Sequence, residues 1–95
     1  MDLGLKNKRA LVLGASKGIG RGIAEELAAE GTRVIVASRD GAACAQVAAD
    51  IASSSGSEVL GTACDMADLD AVDRVADFAQ EAFGGVDILV NNAGT

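Results

Sequence analysis

A chain of 95 residues holds one small domain, not two. Its 49 % apolar and 23 % charged residues make it apolar enough to fold. It has no His, Tyr, Trp or Pro. That removes Ser-His-Asp and Cys-His hydrolase chemistry, His-ligated metal sites and any phenolic acid or base from these residues. The net charge of −6 and pI near 4.3 argue against nucleic acid or an anionic membrane surface as a partner. The charge is unevenly spread. Residues 1–40 carry seven Lys/Arg against five Asp/Glu, whereas residues 41–95 carry Arg74 alone against nine acids. An anionic ligand is therefore expected to prefer the N-terminal part.

The hydrophobic period switches repeatedly along the chain. Arg9–Leu13 is a short apolar run that stops at Gly14 and reads as a buried strand. From Gly18 to Glu30, Ile19, Ile23, Ala24, Leu27 and Ala28 share one helical face, with Gly31 as the stop. Arg33–Ala37 is a second buried strand. Residues 42–52 read as an Ala-rich helix and Ser53–Ser57 as a loop. Glu58–Cys64 is a third, weaker strand. Asp68 or Asp70 can cap a helix with Leu69, Val72, Val75, Ala76, Ala79 and Phe83 on one face, ended by Gly84-Gly85. Val86–Val90 is the fourth strand, and Asn91–Gly94 the turn after it.

The order is β-α-β-α-β-α-β. Strands apolar throughout are covered on both faces, and right-handed crossovers make the sheet parallel. The fold expected is a partial α/β, Rossmann-type doubly wound sheet of order 3-2-1-4, with residues 1–95 as one domain. A ligand crevice then opens at the carboxyl ends of the first and fourth strands. Both Gly-containing turns, 14–20 and 91–94, fall there. The fourth strand is left as an open apolar edge. The isolated chain is expected to be marginal, or to dimerise or aggregate through that edge.

The first turn reads Gly14-Ala15-Ser16-Lys17-Gly18-Ile19-Gly20 between a strand and a helix. Glycines let backbone N–H groups approach a diphosphate, and the helix N-terminus behind them offers unpaired donors and partial positive charge. The spacing is G-x-x-x-G-x-G. It fits neither a strict G-x-G-x-x-G nor a Walker A loop.

This glycine pattern, with Asp65 after the third strand and Asn91-Asn92-Ala93-Gly94 after the fourth, resembles the short-chain dehydrogenase/reductase family. The resemblance spans essentially the whole chain and points to NADP-dependent carbonyl and 3-oxoacyl reductases. It implies that Gly14, Ser16, Lys17, Gly18, Ile19 and Gly20 surround the adenosine ribose and diphosphate. Asp65 and Met66 would contact the adenine. Asn92, Ala93 and Gly94 would line the path toward the nicotinamide, with Asn91-Asn92 also bracing the sheet. One departure is Leu13, where the family usually has Thr.

The second strand ends Ala37-Ser38-Arg39-Asp40. An acid there holds the 2′-hydroxyl of NAD, and an Arg accommodates the 2′-phosphate of NADP. Within the resemblance the strand's last residue decides, and Ser38 rather than Asp there, with Arg39 and Lys17 as cations, predicts NADP(H) over NAD, Asp40 pointing away. The Tyr and Lys that the resemblance implies for catalysis would lie beyond Thr95, so no catalytic residue is assigned within these residues. The expected role is the cofactor-binding N-terminal portion of a reductase passing hydride to or from a carbonyl or hydroxyl carbon. Two alternatives stay open: a non-catalytic nucleotide-binding or interaction module, and another parallel α/β protein holding a phosphate group. Further expectations are a homo-oligomer, no metal, no nucleic acid and no membrane. Cys44 and Cys64 are read as buried thiols of a cytoplasmic protein. The first nine residues hold no apolar stretch of the kind a secretory leader needs.

Overall fold

The computed structural model describes residues 4–92. The elements run β1 (Arg9–Leu13), α1 (Gly18–Ala29), β2 (Arg33–Ser38), α2 (Gly41–Ser55), β3 (Val59–Ala63), α3 (Leu69–Phe83) and β4 (Ile88–Asn91). All three strand pairs are parallel, and the sheet order is β3-β2-β1-β4. The register aligns Leu13 with Ala37 on one side and with Asn91 on the other. The chain therefore reverses its direction of winding after β3, and the turns that follow β1 and β4 part at one end of the sheet.

The alternation of side chains along a strand explains why these strands are apolar throughout. Ala10 and Val12 of β1 and Val34 and Val36 of β2 face α1 and α2, packing with Ala24, Ala28, Cys44, Val47, Ala48 and Ile51. Leu11, Leu13, Ile35 and Ala37 face the other way, against Ala71, Val75, Ala79 and Phe83 of α3. Both cysteines are buried, as expected, and they belong to these two opposite layers.

Several boundaries differ from those expected. The serine run does not form a loop from residue 53. It completes α2, because the Ser54 and Ser55 hydroxyls donate back to the Ile51 carbonyl at 3.3 and 2.7 Å, and the helix ends at Gly56. On α3 the buried stripe is Ala71, Val75, Ala79 and Phe83, an i, i+4 series. Leu69 is 86 % exposed, and Val72 and Ala76 are also exposed, so those three expected positions are not core. Leu69 is the first residue after the Asp68 cap and precedes the turn that meets the sheet. Asp68, not Asp70, is the cap; its carboxylate accepts from the Asp70 N–H at 3.0 Å. β4 begins at Ile88, and its Leu89 is 63 % exposed because α3 lies over β1 and β2 and stops short of it. An open apolar groove of about 350 Å³ remains there, lined by Leu11, Leu13, Val72, Val75, Ala76, Val86 and Leu89 among others.

A fork of charge fixes the far end of the sheet. Arg9 Nε and Nη2 donate to Asp87 Oδ2 and Oδ1, each at 2.9 Å, and the Arg9 backbone N–H donates to Oδ2 at 2.9 Å. The Asp87 N–H returns a bond to the Arg9 carbonyl at 2.8 Å. Hydrogen bonds from the Arg9 side chain and backbone hold the Asp87 carboxyl far below the usual aspartate value of 3.8. A depressed carboxyl stabilises the fold above its unfolded-state pKa and loses that contribution as pH falls through the folded one. The melting temperature should be flat near neutrality and fall below about pH 4. Asp87→Asn should flatten that acid limb, which thermal melts across pH would show. At the open edge, Leu89→Lys should lower self-association of the 95-residue chain in sedimentation runs.

Candidate functional site

A crevice of about 740 Å³ sits at the carboxyl ends of the strands. Its wall brings together Gly14, Ser16, Lys17, Gly18 and Ile19 from the first turn, Ser38 and Arg39 from the end of β2, and Asp65 and Met66 after β3, with Asn92 after β4. These are most of the residues singled out from the sequence. Gly20 lies behind the wall and is buried. Ala93 and Gly94 lie outside the described residues.

The first turn takes its shape from two glycine properties. Gly14 and Gly18 adopt φ of +72° and +62°, the left-handed region that side chains strain to enter. Gly20 has an ordinary φ and a different constraint: a Cβ on it would strike the Gly14 carbonyl oxygen. The start of α1 thus presses directly on the turn. The Gly14 and Ala15 N–H groups bond the Ala37 carbonyl at 2.7 and 3.3 Å, tying the turn to β2. From the other side the Asn92 N–H donates to the Leu13 carbonyl at 3.0 Å, and Asn92 Nδ2 donates to the Gly14 carbonyl at 3.4 Å.

The three helix starts differ. Asp40 caps α2, its Oδ1 accepting from the Ala43 N–H at 3.0 Å, and Asp68 caps α3. At α1 the cap position is Lys17, with no side-chain cap and no acid in the first turn. The N–H groups there keep their partial positive charge, with Lys17 beside them. Lys17 and Arg39 are exposed and make no ion pair among the described residues, whereas Arg9, Arg21, Arg33 and Arg74 each pair with an acid. No Arg39–Asp40 pair forms. The Asp40 carboxylate bonds the start of its own helix while remaining on the crevice wall.

The floor is apolar. Leu13, Ala37 and Cys64 contribute to it and were not singled out as site residues in the sequence; nor were Asp40 and Ala43 on the wall. Their signal was positional, since each adjoins the last residue of a strand or begins the helix after one. Burial pushes the Cys64 thiol pKa up, and the neighbouring Asp65 carboxylate adds to the shift, so this sulfur stays a protonated wall atom. Met66 Sδ lies 3.8 Å from it, and Met66 and Ile19 present partly exposed apolar surface to the crevice. Among the described residues no cluster of His, Cys, Asp or Glu could hold a metal ion, and no helix is long and apolar enough to cross a membrane.

An uncapped helix start behind a glycine turn, two unpaired cations and an apolar floor meet at the switch point of a doubly wound sheet, a combination whose chemistry suits a flat, partly apolar anion. The short chain dehydrogenase family profile matches residues 8–95, and the chain belongs to that family. Galactitol 2-dehydrogenase of Agrobacterium fabrum is 46 % identical over 89 residues, covering 94 % of this chain and 33 % of the relative. A 3-oxoacyl-[acyl-carrier-protein] reductase of Aquifex aeolicus is 36 % identical over 94 residues, covering 99 % and 38 %. The crystal structure of L-sorbose reductase from Gluconobacter frateurii, complexed with NADPH and L-sorbose, superposes with a TM-score of 0.95 at 41 % identity, covering 100 % of this chain and 36 % of that one. The chain thus spans about a third of the length of the relatives it matches.

The Gly14–Gly20 contact gives a direct test. Gly20→Ala must push α1 off the turn, destabilising the fold by about 1–3 kcal/mol. It should abolish binding of adenine dinucleotides in titration calorimetry even below its lowered melting temperature. Full retention of binding would show that the turn does not shape the site.

Proposed function

We propose that these residues form the NADP(H)-binding N-terminal portion of a short-chain reductase that moves hydride between the nicotinamide and a carbonyl or hydroxyl carbon. The observation that carries the reading is the pairing of an uncapped α1 start with two unpaired cations, Lys17 and Arg39, around one crevice. The donor set fits a dinucleotide. Backbone N–H groups at Ser16–Ile19 meet the diphosphate, Asp65 and Met66 flank the adenine, and Asn92 leads toward the nicotinamide. Arg39 and Lys17 answer a 2′-phosphate at the Ser38 end, and no carboxylate stands at that position to receive a 2′-hydroxyl. The NADPH complex of the sorbose reductase supports the same choice.

Bound cofactor would supply the hydride. These residues bind and orient it; they hold no Tyr to move the substrate's proton. The 95-residue chain by itself is therefore proposed to bind without turning over. The carbonyl or alcohol substrate and the homo-oligomer belong to the proposal for the whole reductase, as does a cytoplasmic location.

Arg39→Ala should weaken NADPH by about tenfold while leaving NADH little changed, since an exposed charge-assisted contact is lost for one ligand only. Fluorescence titration of both reduced cofactors measures this. Equal loss of both would overturn the 2′-phosphate assignment.

A further inference from the structure

Ser38 ends β2 and forms part of the crevice wall. Its hydroxyl is held from behind. The Asp40 N–H donates to Ser38 Oγ at 3.3 Å, and Cys44 Sγ lies 3.1 Å from the same oxygen. Cys44 is 0 % exposed, and Ser38 is the only polar partner of its thiol among the described residues. The thiol is also fixed in place: α2 packs on β3 so closely that a Cβ on Gly61 would strike the Cys44 carbonyl.

A hydroxyl has one proton and two lone pairs. Asp40 N–H takes one lone pair. If the Ser38 proton pointed at Cys44 sulfur, a weak acceptor, the buried S–H would have no partner and Ser38 would meet the crevice with a lone pair. If the S–H donates to Oγ, both lone pairs are filled and the Ser38 proton is left over. Its one acceptor within the fold is the Asp40 carbonyl at 3.4 Å, long for O–H···O.

We infer that Cys44 is a positioning residue: its thiol donates to Ser38 Oγ and so presents Ser38 to the crevice as a hydrogen-bond donor, matched to a 2′-phosphate. A phosphate oxygen only accepts, and a donor facing it makes a charge-assisted bond; a ribose hydroxyl in its place makes a weaker, neutral one. The inference rests on the NADP(H) reading above and adds a buried residue to it.

The test titrates the 95-residue chain with adenosine 2′,5′-bisphosphate and with adenosine 5′-monophosphate, which differ only in the 2′-phosphate. Cys44→Ala should weaken the bisphosphate by about three- to tenfold and leave the monophosphate unchanged. Cys44→Ser, which restores a donor, should recover the bisphosphate. In a Ser38→Ala background Cys44→Ala should have no further effect on the ratio of the two affinities. Equal loss of both ligands, or the same change of ratio without Ser38, would overturn the role of Cys44 and leave the cofactor reading standing. A wild-type chain that binds both ligands equally would overturn the cofactor reading and the inference with it. The infrared S–H stretch supplies a readout free of ligand and of any Cys44 variant. It should move to higher frequency in Ser38→Ala, and an unmoved band would show that the thiol does not donate to Ser38.

Discussion

Everything at the crevice depends on one steric fact, the seating of Gly20 against the Gly14 carbonyl. Because no Cβ intervenes, α1 starts directly behind the turn instead of a side chain's width away. That closeness sets where the free N–H groups of the helix start point, and it lets Asn92 reach across from the end of β4 to the same carbonyl. The turn is thus held by β2, by α1 and by β4 together. A displacement of any one of them would move the donors that face the crevice.

Polarity is distributed in keeping with that geometry. Two of the three helix starts are neutralised by an aspartate from the chain itself, Asp40 or Asp68, and the third is left bare at the site. Four arginines are tied to acids around the sheet, while Lys17 and Arg39 stand free at the crevice among the described residues. A chain with a net charge of −6 thereby keeps two unpaired cations at the crevice, on the same wall as Asp40 and Asp65. The pairing that leaves these two cations available is as much a part of the site as the cations themselves.

The sheet order and the crevice could be read in the sequence because strong local signals agreed. Uniformly apolar strands marked a sheet covered on both sides, and glycines marked the turns at its carboxyl ends. The errors came where a tertiary neighbour or a side-chain bond decides. Ser54 and Ser55 read as loop formers, yet their hydroxyls bond back into α2. Leu69 and Val72 obey the helical period of α3 but fall outside the stripe that meets the sheet, because that stripe passes through the small residues Ala71 and Ala79. Cys44 gave no sign of bearing on the site. Its contact with Ser38 arises only when α2 folds back over the end of β2, and Gly61, which permits the approach, sits on a third element.

The sheet order also governs the sequence of events in folding. β1 is synthesised first and ends in the interior of the sheet, flanked by β2 and β4. Its contact with β2 closes a short loop through α1, but the one with β4 joins groups 78 residues apart, at Arg9–Asp87 and again at Gly14–Asn92. Loop-closure entropy makes the second pairing the slower, later step. The crevice end of the sheet is therefore assembled in two stages, with β2, α1 and the glycine turn able to form first. Until β4 arrives, one flank of β1 stays open, and the crevice lacks the wall that Asn92 supplies.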